Sequence, residues 1–567
     1  MAPPNVCFSF PPFDYNGAYD DDDDDAIEDV EREDQRVVKG KQIETNSPLL
    51  DFQVFSPFFP DFGICHQNPP NQTSSEVVSK VHPQTFHENR KPQNSLDLLT
   101  NYWTSMVKKT KPWKPPEKAR DEFKAPHGKL STLEIIQVAG TRYVQFPDQS
   151  ENHFSILMHP FGSAFSGLCE EDTKEIELVQ FLLAATEKVG DQQFDRASRL
   201  LSYCELLASK GASPAQRVVL YFAEALRDRI DMETGRVDLK GGGTEWSKRD
   251  ESHDVKQGLG RSLASLTCHK QTPFTQVTQF VAIQSIMEHT STARRIHIID
   301  LEILSGIQWI VLMEALAERA RNNNDNRDET VELLRITAVV SNLEFQNQVE
   351  ETGSRLAKVA DSMNLPFSFK LVLAPGMEGV LGDTFGTEHG ETVVVYASLV
   401  LRTMIARPNR LEGLMRAVKG THPALMLVTE VEANHNSPSF MTRFIEALFF
   451  CSAYIDCLDE CMGEGRDRHY RRAIEGMLRE GIRNMAGKEG EERVARSVKV
   501  EVWRAFFRRF GMAEVGLSES SLYQASLVAK SKQQFERSCS LEASGKALLV
   551  GWKGTPILSL SAWKFSQ

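Results

Sequence analysis

Hydrophobic positions fall into three regimes along the 567 residues. From about Glu171 they recur at helical spacing. Ile176, Val179, Gln180, Leu183 and Thr186 share one stripe with Leu178 and Leu182 beside it, and no glycine or proline interrupts the run before Gly190. Phe194, Ala197, Leu200, Leu201, Cys204 and Leu207 repeat the spacing behind a capping Asp191. A third helix, 214–230, carries its proline near the start, where no backbone donor is lost. Three consecutive amphipathic helices make a module that buries its leucines internally or against another chain.

Beyond about residue 275 the pattern changes to short apolar runs separated by helical stretches. Runs at Ile296–Ile303, Leu333–Val340, Phe367–Leu373, Val393–Tyr396 and Leu425–Val431 read as strands. Gln308–Ala320, Glu350–Met363 and Ser437–Leu458 read as helices between them. Such alternation predicts βαβ units and a parallel sheet covered on both faces. The chain closes with Tyr523–Val528, Ala547–Trp552 and Ile557–Trp563, the last two joined by a Lys553-Gly554-Thr555-Pro556 turn, which predicts an antiparallel edge.

The first 165 or so residues show neither period and read as disordered. An acidic run, Asp20 to Asp25, continues through Glu28, Asp29, Glu31, Glu33 and Asp34. Phe8, Phe10, Phe13, Tyr15 and Tyr19 flank it, and Phe52, Phe55, Phe58, Phe59 and Phe62 form a second aromatic patch. Acidic charge keeps such aromatics solvated, a composition that suits an activation segment or a solubilising tail. Lys108, Lys109, Lys111 and Lys114 form a proline-studded basic cluster, a candidate nuclear import signal. The glycine-rich stretch at 241–243 lacks both a preceding strand and a following Gly-Lys-Ser/Thr, so it is an insert, not a phosphate loop.

Charge and thiols narrow the function classes. A net charge of −13 argues against wrapping nucleic acid by bulk attraction, leaving only a local basic face. No apolar run reaches the roughly 20 residues of a membrane-spanning helix. The start of the chain lacks the basic and apolar regions of a secretory signal. Nine cysteines without a framework fit reduced thiols inside a cell. Cys451, Cys457 and Cys461 cluster on an expected helix without zinc-site spacing, and read as ordinary buried or half-buried thiols.

Two constellations could carry chemistry. Asp300 and Glu302 end the first strand, where α/β proteins place their ligand crevice, but one glycine, Gly306, follows where a dinucleotide turn wants three. No carboxylate ends the second strand to hold a ribose, so no cofactor is expected. Glu430, Glu432 and His435 follow the fifth strand and could serve acid–base chemistry or a metal. Asn434, Asn436 and Pro438 are equally the residues that leave a strand and open a helix, and that structural reading is preferred.

The order of motifs resembles the plant GRAS family of transcriptional regulators over roughly residues 170–567. The blocks are the leucine-rich Leu178–Leu207 and the Ile296-His297-Ile298-Ile299-Asp300 box. They continue with Pro366-Phe367, Arg443–Leu448, Arg483-Asn484 with Glu492-Arg493, and Trp503, Gly511, Trp552 and Trp563. The resemblance implies a Rossmann-like, methyltransferase-like α/β core at about 286–567 with a helical cap at about 170–285. It also implies a nuclear regulator without catalytic activity. Members pair with one another, as homo- or heterodimers, and associate with zinc-finger factors of the indeterminate-domain type. A few touch DNA directly. The chain looks DELLA-like, yet the Asp-Glu-Leu-Leu-Ala motif is absent from residues 1–170, which argues against gibberellin-triggered degradation.

Residue roles follow as expectations. Leu178, Leu182, Leu183, Leu200, Leu201 and Leu207 are candidates for partner binding. Arg504, Arg508 and Arg509, with Arg493 and Arg496 nearby, are candidates for DNA or acidic-partner contact. Three function classes stay open: a coregulator acting through protein contacts, a direct DNA binder, and a small-molecule sensor or relic methyltransferase.

Overall fold

The computed structural model describes residues 130–145, 169–208, 213–236, 264–322 (without 265 and 304), 331–463 (without 378) and 467–566. The acidic-aromatic runs and the Lys108–Lys114 cluster lie outside these residues.

The sheet forms where the apolar runs predicted it. β1 (Arg295–Asp300), β2 (Leu333–Val340), β3 (Phe367–Leu373), β4 (Thr392–Ser398) and β5 (Leu425–Val431) pair in parallel, in the order β3-β2-β1-β4-β5. The continuous apolar character of β1, β4 and β5 reflects burial on both faces, which parallel strands under helices require. β9 (Thr555–Phe565) then joins β5 antiparallel, followed by β8 (Ala547–Trp552) and β7 (Cys539–Ser544), while β6 (Met512–Val515) pairs with the far end of β9. This is the Rossmann-like, methyltransferase-like arrangement. The strand order reverses between β1 and β4, so a crevice is expected beyond their carboxyl ends.

Helices cover both faces. Against one lie α8 (Pro408–Gly420) and α11 (Val500–Arg509), where Leu414, Met415, Trp503 and Phe507 meet Val395, Val428 and Trp563. Against the other lie α5 (Pro273–His289) and α6 (Ile307–Asn322). α7 (Gln346–Ser362) packs on β3. Gly353 in α7 sits against the Phe369 ring, where an added Cβ would come within 2.3–2.4 Å of ring carbons, so the residue is dictated by packing.

The cap is built from α1 (Thr132–Gln145), α2 (Glu170–Gly190), α3 (Phe194–Leu207) and α4 (Pro214–Glu233), resting on α9 (Phe440–Met462). Ser213 caps α4 by accepting the Gln216 amide at 3.3 Å, with Pro214 in the first turn as expected. α10 (Arg468–Ile482) and the π-helical turn Arg483–Gly487 complete it.

Three expectations need correction. The region read as tail contains α1, whose Leu133, Ile135, Ile136 and Ala139 are buried; a single amphipathic helix set in proline- and asparagine-rich sequence does not give the region a sustained period. The cap is not one continuous segment ending near 285, because α10 joins it from the C-terminal half while α5 belongs to the core. Tyr523–Val528 is helical, within α12 (Glu519–Ala529), which Ser518 caps by accepting the Ser521 amide at 3.0 Å. A short apolar run does not distinguish strand from buried helix, and the serine cap decides it. β6, with four residues, is too short to register as a run, and β7 alternates apolar with polar positions.

Candidate functional site

At the crevice the first candidate, Asp300, is fully buried. One carboxylate oxygen accepts the Glu302 amide at 3.1 Å; the other accepts Trp309 Nε1–H at 2.8 Å and Gln308 Nε2–H at 3.3 Å. Burial raises its pKa to about 7 against these stabilising bonds. The Trp309 indole lies edge-on to Tyr396, at 5.2 Å between centroids. Glu302 accepts the Ser341 hydroxyl at 3.0 Å. Gly306 has φ of 70°, and an added Cβ would lie 2.8 Å from Thr352 Cγ2 and 3.3 Å from Leu356 Cδ1. The lone glycine thus lets the β1–α6 turn approach α7. The groups that looked catalytic hold the turn together.

The rest of the box behaves alike. His297 is buried between Thr337 Oγ1 at 2.8 Å and Glu391 Oε2 at 3.0 Å. Glu391 also meets Arg335 Nε at 3.1 Å, and Glu388 bridges Arg295 at 2.6 Å. Burial holds the imidazole below its usual range. Ile296, Ile298 and Ile299 are core.

Glu430, Glu432 and His435 staple loops. Glu430 Oε1 accepts the Leu401 and Arg402 amides at 2.8 and 3.2 Å. Glu432 Oε2 accepts the Val500 amide at 3.0 Å, at the start of α11. Burial pushes both carboxyls up to about 7. His435 packs edge-on to Phe450, its ring pushed down to about 3 by burial, and its carbonyl accepts Arg493 Nη1–H at 3.0 Å. Beside them opens a cavity of about 300 Å³ lined by Glu432, Glu446, Phe450, Lys499, Glu501 and Leu549, with Lys499 paired to Glu446 at 3.2 Å. Among the described residues no group of three or more His, Cys, Asp and Glu side chains is placed to hold a metal.

The tryptophans are architectural too. Trp552 donates to Asp456 Oδ2 at 2.9 Å, and Trp563 donates to Ser561 Oγ at 2.9 Å while packing 4.8 Å from Phe507. Gly511, with φ of 75°, ends α11 in the left-handed conformation that favours glycine.

The basic candidates are largely committed inside the fold. Arg504 pairs with Glu514 at 2.9 Å and with Glu501 at 3.5 Å, and also holds Ser544. Arg493 is buried, and Arg496 donates to the carbonyls of Gly490 and Arg493. Arg509 is exposed and meets Glu412 at 3.3 Å; Arg508 is exposed. Of the three candidates on α11, Arg504 is thus committed inside the fold, while Arg508 and Arg509 leave an exposed basic edge.

The leucine-rich region divides sharply. Leu178, Leu182, Leu183 and Leu201 are buried within the cap, so they cannot also be a partner surface. Leu200 is half-buried. On α3, Leu207 is 51% exposed, Leu206 77% and Tyr203 53%. This outward apolar patch, two of whose members the periodicity did not single out, is the open part of the region.

A further feature escaped the sequence. α4 is tied to the C-terminal half by ion pairs: Arg217–Glu475 at 2.8 Å, Glu224–Arg479 at 2.6 Å, Asp228–Arg483 at 3.2 Å and Arg229–Glu489 at 2.6 Å. Glu489 also meets the buried Arg443. Partners some 255 residues apart leave no local signal.

A family model for the GRAS domain matches residues 178–564. The chain belongs to the GRAS domain family. It is 28% identical to DELLA protein RGL1 of Arabidopsis thaliana, over 69% of this chain and 70% of that one. It is 27% identical to DELLA protein GAI1 of Vitis vinifera, over 70% of this chain and 64% of that one. The crystal structure of SCL7 from Oryza sativa superposes with a TM-score of 0.59 at 25% identity, over 68% of this chain and 99% of that one. These likenesses make it a plant GRAS regulatory protein. Among the described residues no helix is long and apolar enough to cross a membrane.

Proposed function

We propose that this protein is a nuclear transcriptional coregulator that works through protein contacts and carries no catalytic activity. The α3 face pairs with a second GRAS chain, and the α/β body docks a DNA-bound factor of the indeterminate-domain zinc-finger type. The acidic-aromatic N-terminal region engages transcription machinery, and the Lys108–Lys114 cluster directs nuclear import.

The observation that carries the reading is the contrast between the crevice and the cap. At the crevice, Asp300 and Glu302 are engaged by neighbouring donors, whereas Tyr203, Leu206 and Leu207 turn apolar surface outward from a well-packed helix. Exposed apolar patches of this kind mark interaction sites. Direct DNA binding is less well supported, since Arg493, Arg496 and Arg504 are tied to protein acceptors.

The test is purification of the tagged protein from nuclease-treated plant nuclei. The proposal expects zinc-finger factors and other GRAS chains to remain bound without DNA. Loss of both, with the protein retained on untreated chromatin, would favour direct DNA binding. That alternative also requires affinity to fall steeply with added salt as phosphate counterions are released.

A further inference from the structure

The last two turns of α9 carry Cys457 and Cys461 on one face, with their sulfurs 3.9 Å apart. The fold brings two more thiols to them from distant segments, Cys268 from the helical stretch 266–271 and Cys539 from the start of β7. Cys268 Sγ lies 3.2 Å from the Tyr454 hydroxyl, and Cys268, Cys457 and Cys539 all lie within electrostatic range of Cys461. Burial holds those three above the usual thiol range, so they stay protonated. Cys461 alone of the pair on α9 is half-exposed, while Cys457 is buried. The Lys532 ammonium lies within electrostatic range of both.

We propose that Cys461 is a peroxide-oxidisable thiol and that Cys457 resolves it to a disulfide within the end of α9. The Cys461 thiolate attacks one peroxide oxygen; the O–O bond breaks, an S–O bond forms, and the other oxygen leaves as hydroxide. Sulfur is oxidised by two electrons to sulfenic acid and the peroxide is reduced. Cys457 sulfur then attacks Cys461 sulfur, giving up its proton. The S–S bond forms, the S–O bond breaks, and water leaves.

The site's position gives that bond a consequence. Residues four apart on a helix hold their Cβ atoms roughly 5–6 Å apart, beyond the roughly 3.8 Å of a disulfide. Closing it therefore unwinds the terminal turn, whose last carbonyls find no intrahelical N–H donors beyond Met462 and which yields most readily there. That turn is a clamp. Asp459 holds Arg471 of α10 at 3.1 Å, and Glu460 holds Lys553 and Ser538, both at 3.1 Å. Oxidation at Cys461 thus loosens α10, the C-terminal part of the cap.

Treating the full-length protein with hydrogen peroxide, alkylating residual thiols and mapping tryptic peptides tests this directly. The expected product is peptide 444–466 with Cys451 alkylated and two hydrogen atoms lost through a Cys457–Cys461 link placed by fragmentation, with Cys268 and Cys539 alkylated and the change reversed by dithiothreitol. Cys461→Ser should leave Cys457 reduced, and Cys457→Ala should leave Cys461 trapped by a sulfenic-acid probe. A link to Cys268 or Cys539, alkylation of both residues in peroxide-treated wild type, or oxidation of Cys457 in Cys461→Ser would overturn the proposal. The wild-type map decides the matter if either variant fails to fold.

Discussion

The crevice beyond β1 and the outer face of α3 are opposites. The first holds acidic and aromatic groups that could do chemistry, and each is engaged: Asp300 by three donors, Glu302 by Ser341, Trp309 by Asp300 and Tyr396. The second holds no chemistry, only Tyr203, Leu206 and Leu207 facing outward beside a buried Leu201 and Cys204. Reactive residue types therefore say little about function until their partners are known. A buried carboxylate satisfied by protein donors is a fastener; an exposed leucine on a rigid helix is an offer to a partner.

The contrast breaks most visibly at Leu182, which is fully buried. Leu182→Glu puts an unpaired charge into the cap, and we expect a loss of about 4 kcal/mol or more in urea unfolding, or no folded protein at all. A variant that melts like wild type would show that the cap interior is not what the packing implies.

Next in size is Glu430, near the end of β5. Glu430 has a folded pKa near 7, above its ordinary unfolded value, so its neutral form is favoured on folding. Its contribution is fully present below the unfolded pKa and is lost as pH rises through 7. Glu430→Gln removes that titration. The stability of the variant relative to wild type should therefore rise between pH 4 and pH 8, by on the order of 3 kcal/mol. Equal pH dependence in both proteins would mean that Glu430 titrates alike in the folded and unfolded states.

Asp300→Ala should cost about 2–3 kcal/mol, because Trp309 Nε1–H and Gln308 are left buried without their acceptor. Calorimetric titration of the folded wild type with S-adenosylmethionine sharpens the same point. No heat is expected, and a signal abolished by Asp300→Ala would make the crevice a ligand site after all.

Much of this fold was legible. Leu333–Val340, Phe367–Leu373 and Leu425–Val431 were readable to the residue: β2 and β5, buried along most of their length, are dense apolar runs, and β3 at the sheet edge alternates Ser368 and Lys370 with apolar positions. The site was harder. Helical periodicity marks which leucines of 178–207 share a stripe, but not whether that stripe faces its own cap or a partner; Leu182 and Leu206 differ only through α4 and α9 packing behind one of them. Arg504 read as a free cation because Glu514 pairs with it only once β6 folds back on α11. The pairs between α4 and α10 were equally silent, since their partners are brought together by the whole chain.

The most direct test of the central claim is the double variant Leu206→Glu, Leu207→Glu, compared with wild type by thermal melting and by light scattering after size exclusion with a GRAS partner. The claim predicts an unfolding free energy within about 0.5 kcal/mol of wild type, as for surface substitutions, together with loss of the paired species. Pairing that persists in a normally folded variant would contradict it, and would move the partner surface off α3.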